Sequence, residues 1–162
     1  MRPAPAASHA FAVATSSSTM AGRSRMRPVP TTIDTILKAL APALPQVIPA
    51  AHKGDMGGCS FFGFRPDGTR FLLMNIFGGG WGGRHHADGE SAAVSICQGD
   101  VRNTPVELQE IHYPFLLEYH RLRPDSGGPG RFRGGLGVEL KYRALEKSTV
   151  NVMLERILEP PW

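Results

Sequence analysis

Cysteine is scarce in this 162-residue chain, which has only Cys59 and Cys97. Two thiols cannot build a disulfide framework, and they offer no C-x-x-C spacing for a metal. Long apolar runs are also lacking: none approaches the roughly 20 residues that a membrane helix needs. No G-K-[ST] follows a glycine loop, no G-x-G-x-x-G opens a helix and no serine sits in G-x-S-x-G. P-loop, dinucleotide-binding and nucleophile-elbow chemistry therefore have no support. Acids are missing from the first 30 residues, which hold Arg2, Arg23, Arg25 and Arg27. Those arginines account for the whole net charge of +4, because bases and acids from Thr31 onward balance at 14 each. The basic pI thus belongs to one end of the chain, and neither a nucleic-acid partner nor a membrane is expected of the body.

Residues 1–30 are rich in Ala, Ser, Pro and Arg and have no sustained periodicity, so they are expected to be a disordered tail. An acid-free, Arg- and Ser-rich start also has transit-peptide composition, or marks an artefactual start upstream of Met20 or Met26. From Thr31 the composition turns globular, with 41% hydrophobic and 20% charged residues over the whole chain. Of 19 glycines, 18 fall between Gly54 and Gly137, a concentration that signals special backbone geometry.

Ile33, Ile36, Leu37 and Leu40 recur at helical spacing after a candidate N-cap, Thr32, and Pro42 stops the helix. Cys59–Phe64 and Arg70–Phe77 predict two strands joined by an Arg65-Pro66-Asp67-Gly68-Thr69 turn. The near-continuous apolar run Leu72–Phe77 suggests a strand buried on both faces. Thr104-Pro105-Val106-Glu107 predicts a short helix opened by a capping box. Tyr113–Arg123 predicts a strand with Phe115, Leu117 and Tyr119 on one face. Alternation at Val138, Leu140, Tyr142 and Ala144, a Glu146-Lys147-Ser148 turn and Thr149–Leu154 predict a terminal hairpin. The expected class is mixed α+β: strand-rich, with short helices, glycine loops and a C-terminal β-hairpin.

Chemistry-bearing candidates are few. The run Gly78-Gly79-Gly80-Trp81-Gly82-Gly83 has two readings, an anion nest or a crossover that permits close packing. Arg102-Asn103-Thr104 ahead of the short helix is either a clamp for a carboxylate or phosphate, or a lock in which Arg102 pairs with Glu107 or Glu110. His85 and His86 are adjacent, so an extended backbone points them to opposite sides and away from a shared metal. His112 and His120 are expected to be satisfied surface histidines. Arg121, Arg123, Arg131 and Arg133 flank the Asp125–Gly130 loop, but acids dilute that patch. Neither cysteine has an activating neighbour. No catalytic residue and no metal ligand is assigned.

Taken in order, several motifs resemble the C-terminal part of the hydantoinase B/oxoprolinase family. They are Phe77–Gly83, Asp88-Gly89, Arg102–Glu107, the block from Leu122 to Gly135 and the end Glu155-Arg156 to Pro160-Pro161-Trp162. The resemblance runs from about Thr31 to Trp162 and leaves out residues 1–25. It implies a B-type component that acts with a hydantoinase A-type partner in ATP-dependent opening of small cyclic amides such as hydantoins and 5-oxoproline. It also implies ATP on the A-type partner and a divalent metal held by Asp and His ligands in an N-terminal portion with no counterpart here. Residues 31–162 are accordingly expected to be a C-terminal fragment of a larger domain, inactive alone, cytoplasmic and oligomeric. The alternative is a non-catalytic subunit-interaction module. With the glycine run and Arg102 weighted by this resemblance, the candidate substrate or phosphate contacts are Gly78, Gly79, Gly80, Gly82, Gly83, Arg102, Asn103 and Thr104. If the charge argument holds, any salt-sensitive binding to DNA vanishes when residues 1–30 are removed, which a gel-shift series in rising salt would check.

Overall fold

A computed structural model describes residues 10–14, 29–54, 57–99, 101–154 and 162. Its elements in chain order are β1 (Ala10–Ala14), α1 (Val29–Leu40), β2 (Gly58–Phe64), β3 (Arg70–Ile76), α2 (Val106–His112), β4 (Phe115–Leu122), β5 (Val138–Ala144) and β6 (Ser148–Met153). The strands form two three-stranded sheets, ordered β1-β5-β4 and β3-β2-β6. All pairings are antiparallel except β1 with β5, which is parallel. The mixed, strand-rich α+β class is therefore observed. No described helix is long and apolar enough to cross a membrane.

One apolar core lies between the sheets. Phe61 and Cys59 of β2, Phe71 and Leu73 of β3 and Val150 of β6 meet Phe115 of β4 and Val138, Leu140 and Tyr142 of β5. The Phe61 ring sits 4.8 Å from that of Phe115 and 5.2 Å from that of Tyr142, both tilted, while Phe71 meets Phe115 edge-on at 5.7 Å. These separations suit the quadrupoles of aromatic rings, which add to the gain from area burial. Alternation along β5 feeds this core directly.

Four details depart from expectation. First, α1 begins at Val29, so Thr32 is interior; Pro30 occupies the first turn, where its missing N–H costs nothing. Second, α2 has no side-chain cap: Pro105 is the N-cap residue, and Thr104 instead gives its carbonyl to Gln109 Nε2 at 2.8 Å. Third, β3 is buried on one face only. As an edge strand it buries Phe71 and Leu73 and exposes Leu72 and Met74. Fourth, β5 and β6 do not form a hairpin. Strand β5 is central, with β1 and β4 on its two edges, so β6 has no edge to take there and crosses to pair with β2. The segment expected to be a tail contributes β1 and the start of α1, while residues 1–9 and 15–28 lie outside the described set.

A β-bulge in β4 has wider consequences. The register jumps from Leu117↔Tyr142 to Tyr119↔Lys141, leaving Glu118 as the extra residue. After a bulge the in–out alternation resumes out of phase. Tyr119 therefore leaves the core face expected for it and donates its hydroxyl to Glu139 at 2.9 Å, with the Arg121 guanidinium 4.5 Å from its ring centroid. Glu118 pairs with Lys141 at 2.6 Å and with Arg143, contacts that hold its carboxyl below the usual range. His120 takes the place opposite Leu140.

Glycine-rich loops close the open end of the sheets. Trp81 N–H donates to Glu90 O, Gly135 N–H to Trp81 O, Gly89 N–H to Arg133 O and Ala50 N–H to Gly83 O, all between 2.8 and 3.0 Å. Backbones this close leave no room for side chains. A Cβ on Gly89 would lie 2.0 Å from Trp81 O, and one on Gly135 would lie 2.0 Å from Glu90 O. Gly89→Ala is accordingly expected to destabilise the protein by about 3 kcal/mol through overpacking against fixed backbone, read as a lower urea midpoint at an unchanged slope.

Candidate functional site

The glycine run lies in this closing layer. Gly79 N–H donates to Ala93 O at 2.7 Å, and Gly80 O accepts from Lys53 N–H at 3.2 Å. A Cβ on Gly78 would meet Ala92 O at 2.2 Å, one on Gly82 would meet Ala50 O at 2.1 Å, and one on Gly83 would meet Phe132 O at 2.7 Å. None of Gly78, Gly79, Gly80, Gly82 and Gly83 has positive φ, whereas an anion nest alternates right- and left-handed residues. The run thus has the geometry of a crossover that allows close packing. Trp81 is anchored in it by an indole N–H bond to Val94 O at 2.8 Å.

Asn103 and Thr104, but not Arg102, line a second region that contains none of the five candidate glycines. Between β3, α2, β4 and β5 is a cleft of about 300 Å³ whose lining includes Asn75, Asn103, Thr104, Gln109, His120 and Tyr142. Its floor is a neutral hydrogen-bond network. Asn75 Nδ2 donates to Tyr142 Oη at 2.6 Å and to Gln109 Oε1 at 3.3 Å, and the Tyr142 hydroxyl donates to Gln109 Oε1 at 3.3 Å. Gln109 Nε2 then ties the network to Thr104 O. Both Gln109 and Tyr142 are buried, so each polar atom there needs such a partner. Burial also pushes the Tyr142 hydroxyl well above its usual range, which keeps it neutral. The Asn103 and Thr104 side chains are exposed and make no hydrogen bond within the described residues. They line the cleft, while Gln109 and Tyr142 hold its floor.

Chain pattern alone passed over Asn75, Gln109 and Tyr142, because a polar residue in a strand and a glutamine in a short helix carry no motif. Glu110 does not lock Arg102 in the expected way. Its carboxylate accepts from Leu117 N–H at 2.9 Å, across the turn into β4. Two buried polar residues also escaped notice: His52, whose ring lies 5.1 Å from that of Trp81, and Lys53, whose ammonium donates to Phe77 O. Cys59 is fully buried in the core, and burial pushes its thiol up and out of reach of reaction. No group of three or more His, Cys, Asp and Glu converges among the described residues, so these residues do not fit the divalent metal whose ligands the resemblance places in an N-terminal portion.

His120 gives the cleft its titratable group. Desolvation there holds the imidazole below its ordinary range, so the unfolded chain binds this proton more readily than the folded one. Stability is then lost as pH falls through the unfolded value of about 6.5. The fall in urea midpoint between pH 7.5 and 5.5 is expected to be smaller in His120→Gln than in the parent; equal falls would contradict the assignment.

Comparison with known proteins bears on the same residues. The family model for hydantoinase B/oxoprolinase matches residues 8–162, starting well before Thr31, where the quoted motifs begin to match. An uncharacterised protein of Methanocaldococcus jannaschii is 35% identical over 130 residues, which covers 80% of this chain and 22% of that protein. A Pseudomonas sp. strain NS671 protein, provisionally named as the B component of a D-/L-hydantoinase, is 32% identical, with 80% and 21% covered. The beta component of the Pseudomonas jessenii caprolactamase is 31% identical, with 74% and 21% covered. The chain spans about a fifth of the length of these curated relatives.

Proposed function

The chain belongs to the hydantoinase B/oxoprolinase family, and from that premise we propose that it takes part in ATP-dependent ring opening of small cyclic amides with a hydantoinase A-type partner. The observation that carries this reading is the neutral cleft at Asn103, Thr104, Gln109 and Tyr142 within a chain of this family. A cyclic amide is uncharged and offers one N–H donor and one carbonyl acceptor per amide unit. Neutral donors and acceptors over a satisfied, buried floor suit such a group, because desolvating them costs far less than desolvating charges. Two relatives named as one component of a larger enzyme, a hydantoinase in one case and a caprolactamase in the other, are consistent with a partnered enzyme that acts on such rings.

In this reading ATP is handled by the A-type partner, which phosphorylates the ring. Phosphate on the amide oxygen activates the ring carbon to water; the C–N bond then breaks with the nitrogen leaving as the protonated amine, and a second water releases phosphate from the acyl phosphate so formed. The contribution of this chain is to orient the ring: the Asn103 side chain and the Thr104 hydroxyl reach the ligand, while Gln109 and Asn75 fix the floor beneath it. An ATP-dependent assembly of this kind works in the cytoplasm as a hetero-oligomer.

A second reading, a non-catalytic subunit-interaction module, is favoured by one observation. The outer face of the β2–β3 pair exposes Phe62, Phe64, Leu72 and Met74 together, an apolar surface of the sort that marks contact sites. Reconstitution separates the two. Added to an A-type partner with ATP and hydantoin or 5-oxoproline, the chain is expected to raise turnover, and Asn103→Ala to lower it about tenfold with binding of the partner retained. Binding without any gain of turnover would favour the module, and brisk turnover by the chain alone would overturn the need for a partner.

A further inference from the structure

A larger cavity, of about 840 Å³, opens beside the end of the glycine run, where the stretch from Lys38 to Ile48, Gly83-Arg84-His85, Arg131-Phe132 and Trp162 meet. The last turn of α1 brings Lys38, the end of the glycine run brings Arg84 and His85, and the loop after Pro129 brings Arg131. No Asp or Glu is among the described lining residues. One carboxylate touches this set from outside: Glu90 Oε1 accepts from Arg84 Nη2 at 2.5 Å, with both side chains largely exposed. The rest of the wall is apolar, including Pro42, Ile48 and Phe132, and the Arg131 guanidinium sits 5.5 Å from the Phe132 ring centroid.

Such a lining is unfavourable when it faces only water. Three cations share a concave surface whose apolar walls weaken solvent screening, and the apolar wall itself is left wet. An occupant that meets both demands carries an oxyanion for the cations and an apolar body for Pro42, Ile48 and Phe132. We infer that this cavity binds a small organic oxyanion, a phosphate monoester or a carboxylate with a hydrophobic or planar body. The site is distinct from the neutral cleft at Asn103. The two lie at different loops and share no lining residue, and the inference stands whether or not cyclic amides bind at the cleft.

Its construction explains a feature that the sequence leaves open. Gly83 packs with no room for a Cβ against Phe132 O, and the Gly89 N–H holds Arg133 O at 2.8 Å. Asp88 also accepts from Arg133 N–H at 2.7 Å. These contacts fix the backbone of the Arg131-Phe132 loop beside Gly83, so the loop that carries Arg131 stays next to Arg84 and His85. Guanidinium groups recognise oxyanions through paired, charge-assisted hydrogen bonds.

Isothermal titration of the 162-residue chain with phenyl phosphate, benzoate, inorganic phosphate and benzyl alcohol tests the inference. Phenyl phosphate or benzoate is expected to bind, with affinity falling as salt is raised. Inorganic phosphate should bind about tenfold more weakly than phenyl phosphate, and benzyl alcohol should not bind measurably. Arg131→Gln and Lys38→Gln, both at exposed positions, should each weaken phenyl phosphate binding about tenfold. Arg143→Gln, at a cation paired with Glu118 outside the cavity, should leave it unchanged. Whether benzoate or phenyl phosphate binds more tightly decides between carboxylate and phosphate. Circular dichroism confirms that each variant is folded. The inference is overturned if benzyl alcohol binds as tightly as phenyl phosphate, if inorganic phosphate alone does so, if neither oxyanion binds, or if both cavity variants bind like the parent.

Discussion

Close approach of backbone to backbone in the glycine-rich loops is the constraint on which the rest of the structure depends. Main-chain hydrogen bonds join Gly135 to Trp81, Gly89 to Arg133 and Ala50 to Gly83, pairs that are far apart in sequence, and Trp81 to Glu90 within one loop. Such bonds are possible only where no Cβ intervenes, as at Gly82, Gly89 and Gly135. Each bond also satisfies a main-chain group that would otherwise be buried without a partner. Here the glycines matter for the space they leave, since the run from Gly78 to Gly83 has no residue at positive φ.

Two concave surfaces among the described residues differ in chemistry because different elements feed them. The smaller cleft inherits the buried polar network anchored by Tyr142 and Gln109. The larger cavity lies among loops and the end of α1, where exposed cations gather. Neutral and cationic linings make different demands on solvation, and the two surfaces share no lining residue.

The α+β class was legible in the chain because alternation at Val138, Leu140 and Tyr142, and the turn at Asp67-Gly68, are local signals. Gly68 does adopt positive φ, and Asp67 accepts from the Thr69 N–H at 2.9 Å. The family was legible as well, because its glycine and arginine blocks are long and ordered. The role of the glycine run was half legible: the residue pattern allowed both nest and crossover, and only the positions of Ala50 O, Ala92 O and Phe132 O separate them. Asn75, Gln109 and Tyr142 were invisible as a group, being polar residues 34 and 33 positions apart with no shared motif.

What the sequence by itself determined was the strands β2 to β6, the turn at Asp67-Gly68 and the family. These depend on period, on turn chemistry and on residue order, all carried within short windows. What only the tertiary structure decided was phase and partnership. The bulge at Glu118 turned Tyr119 outward and His120 toward the cleft, and the two occupied edges of β5 sent β6 to the other sheet. Lys38, Arg84 and Arg131, far apart in sequence, line one cavity. Which strand edge is free, and which loop a glycine lets approach, is set by hydrogen bonds between residues far apart in the chain, and no local pattern encodes it.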